Sequence, residues 1–434
     1  MPRPQIEELR IKRYFDTVIG PELQQTRQRK SFAAYALGLL GEGERKSCEP
    51  IAARSASGID EADRVKQAQQ GQDRLLHFLG YSPWSDEAVR LAASRYAIEA
   101  FEKLEPVTTW TIDDTGFPKQ GTHSVGVHRQ YSGTLGKVGN CQIGVSLSVA
   151  TSSEHLPIDF ELYLPEKWAS DDGRRAEVGI PEGVGFTTKI DLAIGMIRRA
   201  KRHEIPGDIL LADAAYGQSW EFREAVRQES LDYGVGIQTN TRVWMLDSKG
   251  RRRDEPIRVD DLARALGRSA FRRVTWRGGT KARMSSTFCF RRVKVEQKDG
   301  QTTAEREPVW IVIEWPEREE SATKFMLTTL PRRMSKKRIV RTLKERWRTE
   351  RAYQEMKGEL GLDHFEGRSF RGWHHHVSVV LSCYAFVVAE RRRLFPPSES
   401  QARSGAVGRE ARASLRRFLR NDSACDRSCD AALA

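Results

Sequence analysis

Three carboxylates stand where phosphodiester chemistry could use them. Asp114 closes the apolar run Trp110-Thr-Ile-Asp-Asp114 and is followed by Thr-Gly-Phe-Pro-Lys-Gln-Gly121. Asp213 closes Leu210-Leu-Ala and is followed by Ala-Ala-Tyr-Gly217. Both are thereby expected at strand ends, where an α/β sheet builds its site. Divalent cations that serve phosphoryl transfer take hard oxygen ligands, which Asp and Glu supply. The plainer alternative is that Asp213 caps a helix and Asp114 belongs to a turn. The third carboxylate, Glu350, falls in an expected helix over Ser335–Leu360. At about 100° per residue Arg346, Glu350 and Lys357 lie within about 40° of one another, whereas Glu355 lies about 140° round from Glu350. A solvated face with an Arg346–Glu350 pair would give the same spacing. A carboxylate between two cations also suits a metal beside a phosphate backbone.

These residues need elements to hold them. Residues 1 to about 100 read as helical. Ser31–Leu40 is a compact apolar helix closed by Gly41 and Gly43. Ser85–Leu104 is a second, with Ser85 as N-cap and Asp86 and Glu87 in its first turn. Between them runs the Gln-rich stretch Lys66–Arg74. The texture changes at Val107. Thr108–Ile112, Gln142–Ala150, Ile158–Leu164 and Asp208–Ala212 read as strands, and Lys189–Arg202 as an amphipathic helix, so an α/β layer is expected. From about Phe222 to Leu330 strands dominate, with Phe271–Trp276, Ser286–Val295 and Val309–Trp315, and an inserted β subdomain is expected there. Helix returns from Lys336. Beyond about Pro396 few apolar groups remain, and a mobile tail is expected. There is no internal repeat and no P-loop, so no nucleotide cofactor is expected.

The 434 residues include 72 Lys and Arg against 59 Asp and Glu, a net charge of +13. That balance points to an anionic partner, and nucleic acid is the commonest polyanion. Basic clusters at Arg251–Arg253, Arg272–Arg273 and Arg332–Arg338 would together suit a DNA track. Trp, Phe and Tyr are too frequent for a disordered chain. The opening MPRPQIEELRIKRYF lacks the apolar segment of an export signal. The run Val377–Ala389 falls short of the ~20 residues that span a bilayer. A cytoplasmic protein, working on the nucleoid and not on a membrane, is therefore expected. Six scattered cysteines fit a reducing compartment, and Cys425 and Cys429 have no histidine near them for a zinc site. The adjacent His374, His375 and His376 cannot share one helix face, so a structural or DNA-facing role is favoured over metal binding. His123 and His128 are placed to line the site. Trp276, Trp310 and Trp315 read as core, with one of them free to stack on DNA.

Taken in order, WTIDDTGFPKQG, HSVGVHRQYSGTLGKVGNCQIGVSLS, LLADAAYG and RWRTERAYQEMKGELGLDHFEGRSFRGWHHH resemble an insertion-sequence transposase of the DDE superfamily. The resemblance is strongest to the bacterial family named after insertion sequence seven-oh-one, and it spans roughly residues 30 to 390. It implies a ribonuclease-H-like catalytic core with a β-rich insertion and an N-terminal helical DNA-binding domain. The implied division is 1–100 helical domain, 101–221 first part of the core, 222–330 insertion, 331–395 catalytic and closing helices, and 396–434 tail. It implies Asp114, Asp213 and Glu350 as ligands of two Mg²⁺ or Mn²⁺ ions, with Asp113 facing the other side of the strand. Arg346, Glu350 and Lys357 fit the Arg, Glu and Lys of a related group's Tyr-Arg-Glu-Lys signature. Its Tyr position falls on Leu343, a departure. The implied activity is metal-dependent cleavage at element ends and strand transfer into target DNA, with Arg346 and Lys357 on the DNA backbone and a homodimer pairing two ends. A nuclease that integrates nothing and a catalytically inactive, transposase-derived regulator are the alternatives.

Overall fold

The computed structural model describes residues 3–394 except 59, 248, 253–254, 279–282 and 297–307. The expected mobile tail, with Cys425 and Cys429, lies outside the described residues.

The chain begins with helices, among them α1 (Thr26–Leu40), α2 (Glu61–Gly80) and α3 (Asp86–Glu102). Ser85 caps α3, its side chain accepting the Ala88 N–H at 3.1 Å. Helix α1 leaves through Gly41 in an extended conformation, φ −68°, and not through a left-handed cap. The Gln-rich stretch continues α2 without a break.

Strands β1 (Thr109–Pro118), β2 (His128–Ser132), β3 (Lys137–Ala150) and β4 (His155–Tyr163) follow, then α4 (Lys189–Arg202), β5 (Ile209–Ala212), α5 (Trp220–Gln228) and β6 (Asp232–Ile237). The order is β4-β3-β1-β5-β6, with β3 antiparallel to β1 and β4, and β1, β5 and β6 parallel. Three antiparallel strands followed by two parallel to the first make the ribonuclease-H-like arrangement. The parallel pairs need crossovers, and α4 and α5 supply them. Helix α4 buries Ala193, Ile194, Met196, Ile197 and Ala200, the stripe its sequence period implies.

The insertion is not a detached body. Strands β7 (Arg242–Met245), β8 (Ile257–Arg258), β9 (Arg272–Gly278), β10 (Arg283–Val295), β11 (Val309–Glu314) and β12 (Lys324–Thr328) continue the same sheet, because β12 pairs antiparallel with β6. Helix α5 spans the expected division at 221/222, and β6 beyond it is a core strand.

The expected Ser335–Leu360 helix is two helices, α6 (Lys336–Leu343) and α7 (Trp347–Leu360). Neither Gly nor Pro interrupts them. The break follows tertiary pulls in different directions: Leu343 packs into the insertion's apolar cluster, Lys344 bonds Glu314, and Arg346 turns to Asp113. Arg346 keeps helical dihedrals at the N-cap of α7, so its stripe with Glu350 and Lys357 survives.

Helix α8 (Phe370–Leu394) is buried almost all round, against β4 on one side and α1, α2 and α3 on the other. Among the described residues no helix is long and apolar enough to cross a membrane. The three adjacent histidines are structural. His374 Nε2 lies 3.4 Å from Glu161, and His375 stacks on Trp84 with ring centroids 3.7 Å apart. His376 Nδ1 accepts from the Tyr35 hydroxyl at 2.8 Å while Nε2 donates to the Leu362 carbonyl at 3.1 Å. Burial pushes His375 down to about 4 and His376 to about 3, and burial beside Arg348 takes His155 to about 3. In the unfolded chain these rings take up protons near pH 6.5. Stability is therefore expected to fall as the pH drops below about 6.5, by about 1.4 kcal/mol per pH unit for each ring. Denaturant midpoints at pH 7 and pH 5 test this. His376→Gln should shrink the difference between them, and an unchanged difference would show that His376 does not drive it.

Candidate active site

In an extended strand Asp113 and Asp114 must face opposite sides of the sheet, and β1 shows what each side holds. Asp113 pairs across to Ser146 of β3, whose hydroxyl bonds Tyr353 of α7. Asp113 therefore faces α7, and it is 7% exposed. Asp114 faces α4: its Oδ2 pairs with Lys189 Nζ at 2.9 Å and accepts from the Tyr216 hydroxyl at 3.4 Å. Asp113 thus shares the α7 side of β1 with Arg346, and Asp114 the α4 side with Lys189.

Asp213 follows the last residue of β5, and its Oδ1 accepts the Ala215 N–H at 2.9 Å. It does cap the one-turn helix Ala214–Gly217, as the plainer reading held, and it also lines a cleft with Glu350 and Arg346. Glu350 is held by little, with 59% of its side chain exposed. Arg346 ties the group together. Its Nη1 donates to Asp113 Oδ2 at 2.8 Å and its Nη2 to Glu350 Oε1 at 3.3 Å. The i,i+4 pair is therefore real and coexists with a bond to the first acidic residue.

Electrostatics mark this as a strained cluster. Burial pushes the Asp113 carboxyl up to about 7; Arg346 opposes the shift, and the charges of Asp213 and Asp114 add to it. Burial works against the Arg346 charge, but Asp113, Asp213 and Glu350 outweigh it and hold its pKa above the ordinary value.

The cleft has a volume of about 1120 Å³ and runs between the core and the insertion. Arg258, Arg277, Lys324 and Lys344 line it with Arg346, so an acidic end opens into a basic trough. Trp276 lines it too, under Lys344 Nζ at 4.9 Å from the ring centre. Trp315 is 7% exposed in the core, and Trp310 packs edge-on to Phe290. Trp276 is thus the one of the three expected tryptophans that lines this cleft.

Lys357 lies elsewhere. Its ammonium donates to Thr115 Oγ1 at 2.9 Å and the Gly116 carbonyl at 2.7 Å, fastening α7 to β1. Burial lowers its pKa, with Asp363 opposing. His123 pairs with Glu177 at 3.3 Å, and neither it nor His128 lines the cleft. Lys189, Tyr216 and Arg277 escaped sequence reading, since nothing in their spacing marks them.

The donor set fits a divalent cation in kind, since all three are carboxylates. As placed, no three acidic, histidine or cysteine side chains among the described residues stand close enough to hold one ion. The Arg346 guanidinium supplies the positive charge between them.

Fold and site together define a ribonuclease-H-like protein with an acidic cleft. The chain belongs to the DDE superfamily endonuclease family, which it matches over residues 19–283, and it matches the transposase DDE domain over residues 185–386. It is 29% identical over 221 residues to a probable transposase for insertion sequence element IS701 from Microchaete diplosiphon, covering 50% of this chain and 52% of the relative. The chain thus matches about half the length of that relative. Among solved structures it is similar to the piggyBac transposase synaptic complex with hairpin DNA, at 11% identity and a TM-score of 0.41, over 97% of this chain and 81% of that one.

Proposed function

We propose that the protein is a DNA transposase that cuts at the ends of an insertion sequence and joins them to target DNA. The observation that carries this is the Arg346 guanidinium, bonded to Asp113 and Glu350 and in the field of Asp213, beside a basic cleft that Asp213, Arg346 and Glu350 line. Asp113 takes the place that the sequence reading assigned to Asp114. Asp113, Asp213 and Glu350 would hold the divalent ions, Mg²⁺ or Mn²⁺ and two per site in this reading. Bound, such ions supply Lewis-acid activation of water or a 3′-hydroxyl and neutralise the leaving oxygen.

The chain's own residues prepare that site. The Ala215 N–H fixes one Asp213 oxygen. The Arg346 fork orients Asp113 and Glu350 together. The Arg346 guanidinium, once its carboxylates were otherwise neutralised, would be free to meet a DNA phosphate, which matches its bidentate geometry. Arg258, Arg277 and Lys324 would carry the strand along the cleft, and Trp276 offers the aromatic face for an unpaired base. Lys357 acts first as the fastening between α7 and β1. Because the carboxylates act on a phosphodiester common to all sequences, sequence choice must come from base-edge contacts made elsewhere. The N-terminal helices are our candidate for them, and two copies would pair two ends.

The test is to incubate the purified protein with DNA carrying the element and its flanks, with Mg²⁺ or Mn²⁺, and to map the cuts. Breaks at the element boundaries followed by joined products are expected. Breaks without joining would favour a nuclease, and no breaks with retained end binding would favour an inactive regulator. Arg346→Lys isolates the fork, since one ammonium cannot bridge two carboxylates in a plane. Cleavage should drop about 10–100-fold, while the salt slope of end binding, set by a charge that Lys retains, should change by well under one unit. If cleavage stays at the wild-type level, Arg346 is only a surface partner of Glu350.

A further inference from the structure

A second cleft, of about 460 Å³, shares no lining residue with the acidic one. It opens where β1 and β5 begin, at Thr109 and Ile209, whereas Asp213 follows the other end of β5. One wall is α6, which presents Lys337, Arg338 and Arg341. The other wall carries hydroxyls, with Thr108 and Ser152 exposed. The turn between α6 and α7 separates the clefts: Leu343, Lys344 and Arg346 line the acidic one, Thr342 and Glu345 the other.

A run of basic residues is most often a solvated surface, but this one is built differently. Ile339, Val340 and Leu343 anchor the opposite face of α6 in the insertion's apolar cluster, so the cations stand in a fixed row. Lys337, Arg338 and Arg341 make no ion pair with any described residue. The two carboxylates in the cleft are already engaged, Glu105 with Ser153 Oγ at 2.7 Å and Arg392 at 3.4 Å, Glu345 with Arg348 at 2.7 Å. What remains is three cations without an ion pair, Arg341 alone feeling the charge of Glu345, and they face hydroxyls, the donor set that phosphate oxygens take.

We propose that this cleft grips the phosphodiester backbone of double-stranded DNA on the other side of the α6–α7 turn from the acidic site, as a second, sequence-indifferent anchor. The proposal deepens the transposase reading, but its test does not pass through the carboxylates. Binding of a short generic duplex to the full chain is measured by fluorescence anisotropy without divalent metal, over a range of salt. Replacing Lys337, Arg338 and Arg341 together by Ala should lower the slope of log affinity against log salt by about 3 units and weaken binding at least tenfold at low salt, as expected for three lost phosphate contacts. A control replacing the exposed Lys167, Arg202 and Lys249, which line neither cleft, removes the same charge and should change the slope by less than about 1 unit. Should the triple variant melt early, Lys337→Ala and Arg338→Ala singly should each remove about one unit. An unchanged slope, or an equal loss in the control, overturns the proposal. So does a greater loss for single-stranded RNA than for the duplex. Loss of duplex binding in the triple variant, in a protein that makes no cuts, would keep the anchor and remove the transposase.

Discussion

Asp113→Asn is expected to abolish DNA cleavage while making the protein more stable at neutral and alkaline pH. The first effect follows from position. Asp113 lies on the α7 side of β1, bonded to the residue that also bonds Glu350, and feels the charge of Asp213. Losing a supporting partner of a metal ligand costs about 10–100-fold, and losing a ligand costs more, so a drop of at least ~10³-fold is expected. Asp213→Asn and Glu350→Gln should behave alike. Asp114→Asn should be milder, ~10–100-fold, because Asp114 acts through Lys189 and Tyr216 on the far face. The second effect follows from the burial of a crowded carboxyl. An aspartate titrates near 3.9 in the unfolded chain and near 7 in this fold. The native state therefore binds that proton more tightly. Its contribution is fully present below about pH 4 and is lost as the pH rises through about 7. Three pH units correspond to at most ~4 kcal/mol. The Asn variant has no such loss, so its melting temperature should gain on wild type as the pH is raised from 4 to 8. A wild-type cleavage rate in Asp113→Asn, with Asp114→Asn dead, would return the ligand role to Asp114. A melting difference flat with pH would show that the carboxyl is not strained.

Deleting residues 1–102 is expected to destroy the fold, not to release a working core. The closing helix α8 finds its partners in that region. Tyr14 donates to the Ser382 carbonyl at 3.0 Å, Arg90 to Ser378 at 2.9 Å, and Tyr35 to His376 at 2.8 Å. Arg10 and Tyr96 hold Glu390, which is 1% exposed, at 2.8 and 2.9 Å. One apolar cluster runs without a gap from Tyr14 through β1 and β3 to Ala389. Removing the helices would expose the α8 surface at about 1.5–3 kcal/mol for each large apolar side chain, several times over. It would also leave Glu390 without its bonds to Arg10 and Tyr96. The truncated chain should be insoluble or melt without cooperativity, which expression yield and circular dichroism would show. A soluble fragment with a cooperative transition would prove the helices a separable domain. Sequence recognition by these helices is therefore better tested by point substitutions on their exposed face.

The contrast between Asp113 and Asp114 shows where reading the chain alone reaches its limit. Alternation along β1 determines that the two residues face opposite sides, but both sides of a central α/β strand are covered by helices. Thr111, Asp113 and Thr115 on one face look no more functional than Ile112, Asp114 and Gly116 on the other. Which face meets α7 depends on where the chain returns after the insertion. The turn between α6 and α7 has the same origin, because no local breaker marks it and long-range bonds from Lys344 and Arg346 make it. Lys357 keeps its place on the stripe yet spends its donors on β1, since neighbours distant in sequence supply the acceptors.

By itself, the sequence determined what depends on local chemistry and period. That includes the strand before each aspartate, the amphipathic α4, the capped α3, the Arg346–Glu350–Lys357 stripe, and the order of motifs that carries the family resemblance. Tertiary structure alone decided which aspartate Arg346 bonds beside Glu350, that the insertion extends the core sheet through β6 and β12, and that the N-terminal helices complete the core around α8. Local propensities act over a few residues, whereas a face, an edge or a shared core is settled by burial between segments hundreds of residues apart, which no spacing within one segment encodes.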